Sequence, residues 1–96
     1  MAGDSWTIRT SERASDEISE LPRTVQKEVF ALIELLIEEP IPEGAVRMRR
    51  YNNVYRLRLG SGNYRMVYRV DRRRRIIEVF RIRPRSTVYR GLRGPE

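Results

Sequence analysis

From residue 11 onward the hydrophobic period of this chain changes once, across Pro40-Ile41-Pro42-Glu43-Gly44, and that single change limits the folds open to it. Before the break, apolar residues recur every three to four positions, the spacing of a helix with one buried stripe. After it, they recur every second position, the spacing of strands with one buried face. Ninety-six residues form one domain of ordinary small size, able to bury a modest core without disulfides or metal, so residues 1–96 are expected to fold as a single unit.

The elements follow from local signals. Trp6-Thr7-Ile8-Arg9-Thr10 alternates apolar and polar residues and predicts a short strand. Ser11 stands where a helix cap belongs, with Glu12 in the first turn and Ala14, Ile18 and Leu21 following at helical spacing. Pro22 opens a second helix to about Glu38, with Val25, Val29, Leu32, Ile33, Leu36 and Ile37 on one side as a core-facing stripe. Pro40 and Pro42 end it. Val46 and Met48 then alternate with Arg47 and Arg49 before a turn at Asn52-Asn53, and Tyr55, Leu57 and Leu59 alternate with Arg56 and Arg58 before a turn at Gly60–Asn63. Tyr64, Met66, Tyr68 and Val70 alternate with Arg65, Val67 and Arg69. The last strand carries Ile76, Glu78, Phe80 and Ile82 on one parity and Ile77, Val79, Arg81 and Arg83 on the other. The prediction is an α+β fold: an N-terminal strand, a two-helix hairpin and a three-stranded antiparallel meander with the helices on one face of the sheet.

Charge is segregated along this frame. Residues 1–44 carry four basic and ten acidic side chains, a net of −6, and residues 45–96 carry sixteen and three, a net of +13. Nineteen of the twenty basic residues are arginine, which grips phosphate with paired donors and stacks on bases where lysine offers a hydrated point charge. A half this positive suits a polyanionic partner. Histidine and cysteine are absent, which excludes disulfide frameworks, thiolate or imidazole chemistry and the usual zinc sites. No apolar run approaches the roughly 20 residues that cross a membrane, and the first residues lack a signal-like pattern, so a cytoplasmic protein is expected.

Parity turns the pattern into a candidate site. With the helices covering Leu57, Leu59, Met66, Tyr68, Phe80 and Ile82, the opposite face would carry Arg56, Arg58, Arg65, Arg81 and Arg83, a few ångströms apart across strands spaced about 5 Å. Facing like charges cost a few tenths to about 1 kcal/mol per pair, and a merely solvated face would mix signs or use Thr and Ser. An anion-binding role accounts for the bias. Arg72–Arg75 reads as a solvated turn and Gly60–Asn63 as a hairpin turn. Core or edge packing suits Tyr51, Tyr55, Tyr64 and Tyr68, and Trp6 is expected beside the helices.

The runs Tyr55-Arg56-Leu57-Arg58-Leu59, Tyr64-Arg65-Met66-Val67-Tyr68-Arg69-Val70 and Arg83-Pro84-Arg85-Ser86-Thr87-Val88-Tyr89 resemble the RelE/ParE superfamily of bacterial toxin–antitoxin toxins, and its RelE-like ribosome-dependent mRNA endonucleases in particular. The resemblance spans nearly the whole chain and implies the β-α-α-β-β-β order. It implies catalytic roles for Arg65, Arg83 and Tyr89, and RNA contacts for Arg56 and Arg58, to which the charge pattern adds Arg81 and Arg85. It also implies mRNA, the ribosome and a cognate acidic antitoxin as partners, the last in a hetero-oligomer. Several RelE-like toxins have lysine where this chain has Arg56 and Arg58, and arginine is a poor general base. ParE-type relatives that poison gyrase share the fold and often lack the full catalytic set, so gyrase inhibition and non-catalytic RNA binding stand as alternatives.

The chemistry itself asks for little. Attack of a 2′-OH on its adjacent phosphate needs alignment, stabilisation of a phosphorane and proton transfers, without a protein nucleophile, metal or other cofactor. Fixed donors aimed at developing charge contribute on the order of 10²–10³ each, and proton transfer roughly 10²–10⁴. With no histidine, the phenol of Tyr89 is the candidate proton carrier and could also stack on a base. The competing role for Tyr89 is an amphipathic seal on the sheet edge.

Overall fold

The computed structural model describes residues 6–91. In chain order the elements are β1 (Thr7–Thr10), α1 (Glu12–Ser19), α2 (Arg23–Glu38), β2 (Val46–Arg47), β3 (Val54–Leu59), β4 (Tyr64–Asp71) and β5 (Ile76–Pro84). The architecture is the expected α+β arrangement, with both helices on one face of a five-stranded sheet ordered β1-β5-β4-β3-β2. β1 runs parallel to β5, from Thr7 opposite Ile76 to Thr10 opposite Val79, and every other pairing is antiparallel.

The helix starts are built by short-range chemistry and then sewn to the sheet. Ser11 Oγ accepts the Ala14 N–H at 3.0 Å, satisfying one of the donors that an N-terminal turn leaves open. The same hydroxyl donates to Phe80 O at 3.2 Å, and Ser11 N–H donates to Val79 O at 3.0 Å, so α1 begins where β1 stops accompanying β5. Pro22, with φ −55°, is already in the dihedral range that leads into α2. Gln26 Nε2 donates to Ile18 O at 2.7 Å and ties the two helices together.

Two apolar clusters lie on opposite faces of the sheet. The larger joins Ala14, Val25, Val29 and Leu36 of the helices to Leu57, Leu59, Met66, Tyr68, Val70, Ile77, Val79 and Ile82, with Trp6 packed at its margin. The smaller joins Val54, Val67 and Val88, with Met48, Tyr51 and Phe80 around them. Phe80 therefore departs from the expectation that the helices cover it. Its strand contains a bulge: Val67 pairs with Arg81 but Tyr68 pairs with Val79, leaving Phe80 without a partner. One extra residue shifts the parity, so Ile77, Val79 and Ile82 all reach the helices while Phe80, Arg81 and Arg83 point the other way.

The β3–β4 connection is the hairpin turn that Gly60–Asn63 predicts. Gly60, at φ +62°, needs glycine twice over, since a Cβ there would also meet Tyr64 Cδ1 at 2.8 Å. Its N–H is held by both carboxylate oxygens of Glu28 on α2, at 3.1 and 3.2 Å. The Asp71–Arg74 turn is closed by Asp71 Oδ1 accepting the Arg74 N–H at 3.1 Å. Among the described residues no helix is long and apolar enough to cross a membrane.

Tyr68 locks the helix-to-sheet loop to the core. Its ring stacks on Tyr55 at 5.9 Å, and its hydroxyl donates to Pro40 O at 2.8 Å. Burial, with a smaller contribution from Tyr55, pushes the phenol pKa above the ordinary tyrosine value. The native state thus holds this proton more tightly than the unfolded chain. The resulting stability is fully present below the unfolded value of about 10 and is lost as pH rises beyond it. Urea unfolding from about pH 8 to about pH 11 should show stability falling above about pH 10. Tyr68→Phe should cost about 1 kcal/mol near neutrality, by leaving Pro40 O unpaired, and should make the alkaline decline shallower. An unchanged alkaline slope in the variant would remove Tyr68 as its source.

Candidate functional site

The face away from the helices carries two cross-strand rows of arginine. Arg58 pairs with Arg65 and Arg65 with Arg83, so three guanidinium side chains stand in one row across β3, β4 and β5. The neighbouring row runs Val46, Arg56, Val67, Arg81. Strands lie about 4.8 Å apart, so the first row sets like charges side by side, while in the second Val67 stands between Arg56 and Arg81. How each arginine escapes its neighbours decides what the face can bind.

Arg65 escapes inward. It is only 9% exposed, and its Nη1 donates to Gly62 O at 2.6 Å and Tyr64 O at 3.1 Å, clamping the hairpin turn. The expectation of a solvent-facing Arg65 is corrected, because backbone carbonyls of the turn disperse its charge better than the crowded face would. Arg83 escapes sideways toward α1: its Nε lies 3.4 Å from Glu17 Oε2, while Glu17 Oε1 accepts the Ile82 N–H at 2.9 Å. Glu17 thus caps the edge of β5 beyond the end of β1 and orients Arg83 with the same carboxylate. Arg69 pairs with Glu78 at 3.3 Å and lies over the Phe80 ring. Arg58 and Arg85 are exposed, and Arg85 N–H donates to Asn63 O at 2.9 Å.

Arg81 is the larger correction. Parity places it among residues free to contact RNA, yet it is 4% exposed, and its Nη1 donates to Val88 O at 2.8 Å and Arg90 O at 2.6 Å. Burial, with Arg83 and Arg13 nearby, pushes its pKa below the ordinary guanidinium value. Arginine keeps its charge at neutral pH all the same. The buried charge is answered by carbonyls of the C-terminal segment, which folds back over the sheet. That segment turns at Pro84, whose carbonyl accepts from Thr87 N at 3.0 Å and Val88 N at 2.9 Å. Val88 is fully buried against Val54 and Val67.

The fold-back places Tyr89 over β3. Its side chain is exposed, and its phenol oxygen accepts from Arg56 Nη1 at 3.0 Å. A guanidinium can only donate, so the phenol's own hydrogen is left to point elsewhere. Together they line a pocket of about 390 Å³ with Arg47, Met48, Arg49, Arg50 and Tyr51. Among the described residues, no carboxylate lines it. Arg47, Arg49, Arg50 and Tyr51 were not legible as site residues, since alternation reads Arg47 and Arg49 as the outward side of a strand. β2 stops at Arg47, and a turn bonded from Tyr51 N to Met48 O swings the run into the pocket wall. The available signal was the basic run Arg47-Met48-Arg49-Arg50 ending on an aromatic residue.

The three residues expected to be catalytic line three different cavities among the described residues. Tyr89 lies in the arginine-walled pocket, and Arg65 lines a narrow cleft with Arg56 and Arg58. Arg83 lines a groove of about 360 Å³ with Glu17, Glu20, Leu21, Tyr64 and Thr87. Arg56 links the first two. The arrangement supplies fixed donors for phosphate oxygens and, at Tyr89, one exchangeable proton.

A family model described as the ParE toxin of type II toxin-antitoxin system, parDE, matches residues 8–89. No curated protein matches the chain significantly by sequence. The fold is similar to that of the isolated E. coli RelE toxin, with a TM-score of 0.74 and 25% identity over 83% of this chain and 84% of that one. It is similar also to the intact E. coli RelBE toxin–antitoxin complex, with a TM-score of 0.75 and 25% identity over 83% and 96% of the two chains. The RelE–RelB complex from Pyrococcus horikoshii matches with a TM-score of 0.73 over 88% and 99%, and at 20% identity it speaks for the fold alone.

The arginine row makes a prediction that needs no assay of function. Arg58 is exposed and directly opposite Arg65, so Arg58→Thr should raise stability by a few tenths to about 1 kcal/mol at low salt. Screening should erase most of the gain near 1 M salt. Thermal unfolding of the two proteins across a salt series would show it, and equal stability at low salt would mean that the row carries no repulsive strain.

Proposed function

The chain belongs to the RelE/ParE superfamily of type II toxin–antitoxin toxins, and from that premise we propose that it cuts mRNA on the ribosome by directing a 2′-OH at the adjacent phosphate. The observation that carries this reading is the hydrogen bond between Arg56 and Tyr89 inside a pocket walled by arginine. Arg47, Arg49, Arg50 and Arg56 offer donors for the RNA backbone, with Arg58 and Arg85 extending the phosphate path. Tyr89, oriented by Arg56, carries the proton and offers a ring on which a base can stack. Arg83 keeps both terminal nitrogens for a phosphate oxygen while Glu17 holds its Nε. Arg65 spends Nη1 on the hairpin turn, so its part is to hold the strand ends in register and to add positive potential.

A second reading is favoured by one observation: the matching family model is that of ParE toxins. Arginine at 56 and 58, where several RelE-like toxins have lysine, fits that reading too, and its target would be DNA gyrase. Brief induction followed by primer extension on cellular mRNA separates the two. The endonuclease reading expects new 5′ ends and a loss of translation; intact mRNA with blocked gyrase supercoiling in vitro would replace it with the second. In single-turnover cleavage on programmed ribosomes, Tyr89→Phe should lose roughly 10²-fold or more, because phenylalanine stacks but carries no proton. Arg83→Ala should lose on the order of 10²-fold. Full activity in Tyr89→Phe would take the phenol out of the proton path.

The partner we propose is a cognate acidic antitoxin that folds on the toxin and meets its arginines with carboxylates. The similar E. coli and P. horikoshii structures pair a toxin with RelB, which supports this. Such binding would relieve the self-repulsion of the arginine rows, so the complex should melt well above the toxin alone. Identical melting with and without the antitoxin would argue against the partnership.

A further inference from the structure

We propose that Arg81 is the positioning residue for Tyr89, acting through the main chain of the C-terminal turn; this rests on the reading of Tyr89 as the proton carrier. The two carbonyls that Arg81 Nη1 holds belong to Val88 and Arg90, the residues on either side of Tyr89. One guanidinium therefore holds the peptide unit that enters Tyr89 and the unit that leaves Arg90, one on each side of the phenol's residue. Few other contacts could do this. Residues 85–91 are turns with no strand beside them, secured by local backbone bonds, by Arg85 N on Asn63 O and by the buried Val88 side chain. Val88 fixes the depth of the segment; its rotation about that plug, which decides where Tyr89 points, is set by the two carbonyl bonds.

The choice of partners also marks the site. An almost fully buried charge is ordinarily answered by a carboxylate. The nearby carboxylate, Glu17, is committed to Arg83 and to the Ile82 N–H. Arg81 takes neutral carbonyls instead, through charge-assisted bonds that are roughly twice as strong as neutral ones. Its position in β5 depends on the bulge, which places Phe80 and Arg81 on the same face of the sheet. In the same row, two strands away across Val67, stands Arg56 with its own Nη1 on the phenol oxygen. The row thus holds Tyr89 at two points: Arg81 on the main chain and Arg56 on the ring.

The test uses the full chain with Arg81→Met, which keeps the aliphatic stem and removes the donors, and Arg81→Lys, which keeps the charge. Circular dichroism identifies the folded variants, and should Arg81→Met not fold, Arg81→Lys carries the same comparison. Tryptic release after Arg85 and Arg90 should be faster in Arg81→Met. The resonance of a fluorotyrosine at position 89 should shift toward that of an unfolded chain. In single-turnover cleavage the rate should fall on the order of 10- to 100-fold with half-saturation by RNA nearly unchanged, the size expected of a misplaced catalytic group. Arg81→Lys should recover part of it. In a Tyr89→Phe background the same substitution should add less than about 2-fold, because both changes act on one group. Equal losses in both backgrounds, weaker RNA binding, or a tail as protected and a resonance as native as in the parent protein would overturn the proposal. If the parent protein cuts no RNA, the endonuclease reading fails, and the protease and fluorine measurements still decide whether Arg81 holds Tyr89.

Discussion

Phe80, in β5, has no register partner on β4, and most of what distinguishes the two faces of this sheet depends on that unpaired residue. A regular strand would send Ile77, Val79, Arg81 and Arg83 to one side together. The bulge cuts the strand into two segments of opposite parity. Ile77 and Val79 then enter the core beneath the helices, and Arg81 and Arg83 join Arg56, Arg58 and Arg65 on the open face. Phe80 itself is left on that face, where it helps build the small second core and underlies the Arg69 guanidinium. A local irregularity of one residue thus supplies both part of the apolar seat for the C-terminal segment and the arginine that holds it.

The open face concentrates charge that folding would rather spread, and the molecule disperses it unevenly. Arg65 and Arg81 are drawn inward onto backbone carbonyls, and Arg83 and Arg69 are drawn onto Glu17 and Glu78. These four have become partly structural. Arg58, Arg85 and the wall formed by Arg47, Arg49, Arg50 and Arg56 keep their donors turned toward solvent or the pocket. Partner choice within the fold, rather than the number of arginines, separates those that hold the site from those free to meet an anion. The acidic N-terminal half contributes to this division through Glu17 on α1, which also captures the Ile82 N–H of β5, while Glu28 on α2 holds the Gly60 N–H of the β3–β4 turn.

The functional reading sits where the family and the geometry meet. The family model is that of ParE toxins, while the structures to which the fold is similar are RelE toxins, alone and with antitoxins. In this chain a phenol is held by one arginine and presented on a turn held by another. A site assembled from a strand, a short basic loop and a folded-back tail depends on how these parts are fixed to one another, since none of them is rigid alone.

The sequence by itself determined the elements and their order. The break at Pro40–Gly44, the Ser11 cap, the Pro22 start and the alternation of Tyr64 to Val70 are written in neighbouring residues, because helix and strand periodicity, caps and turns are local matters. The charge asymmetry was equally plain, and the family resemblance already made Tyr89 and Arg56 candidates. Only the tertiary structure decided the parallel seat of β1 beside β5, the bulge at Phe80, the burial of Arg65 and Arg81, and the turning of Arg47 to Tyr51 into the pocket wall. Each of these depends on what lies across a strand or above a face. Alternation shows which side chains share a side of a strand, but a one-residue shift reverses the rest of the strand, and exposure is set by whichever distant segment folds over it.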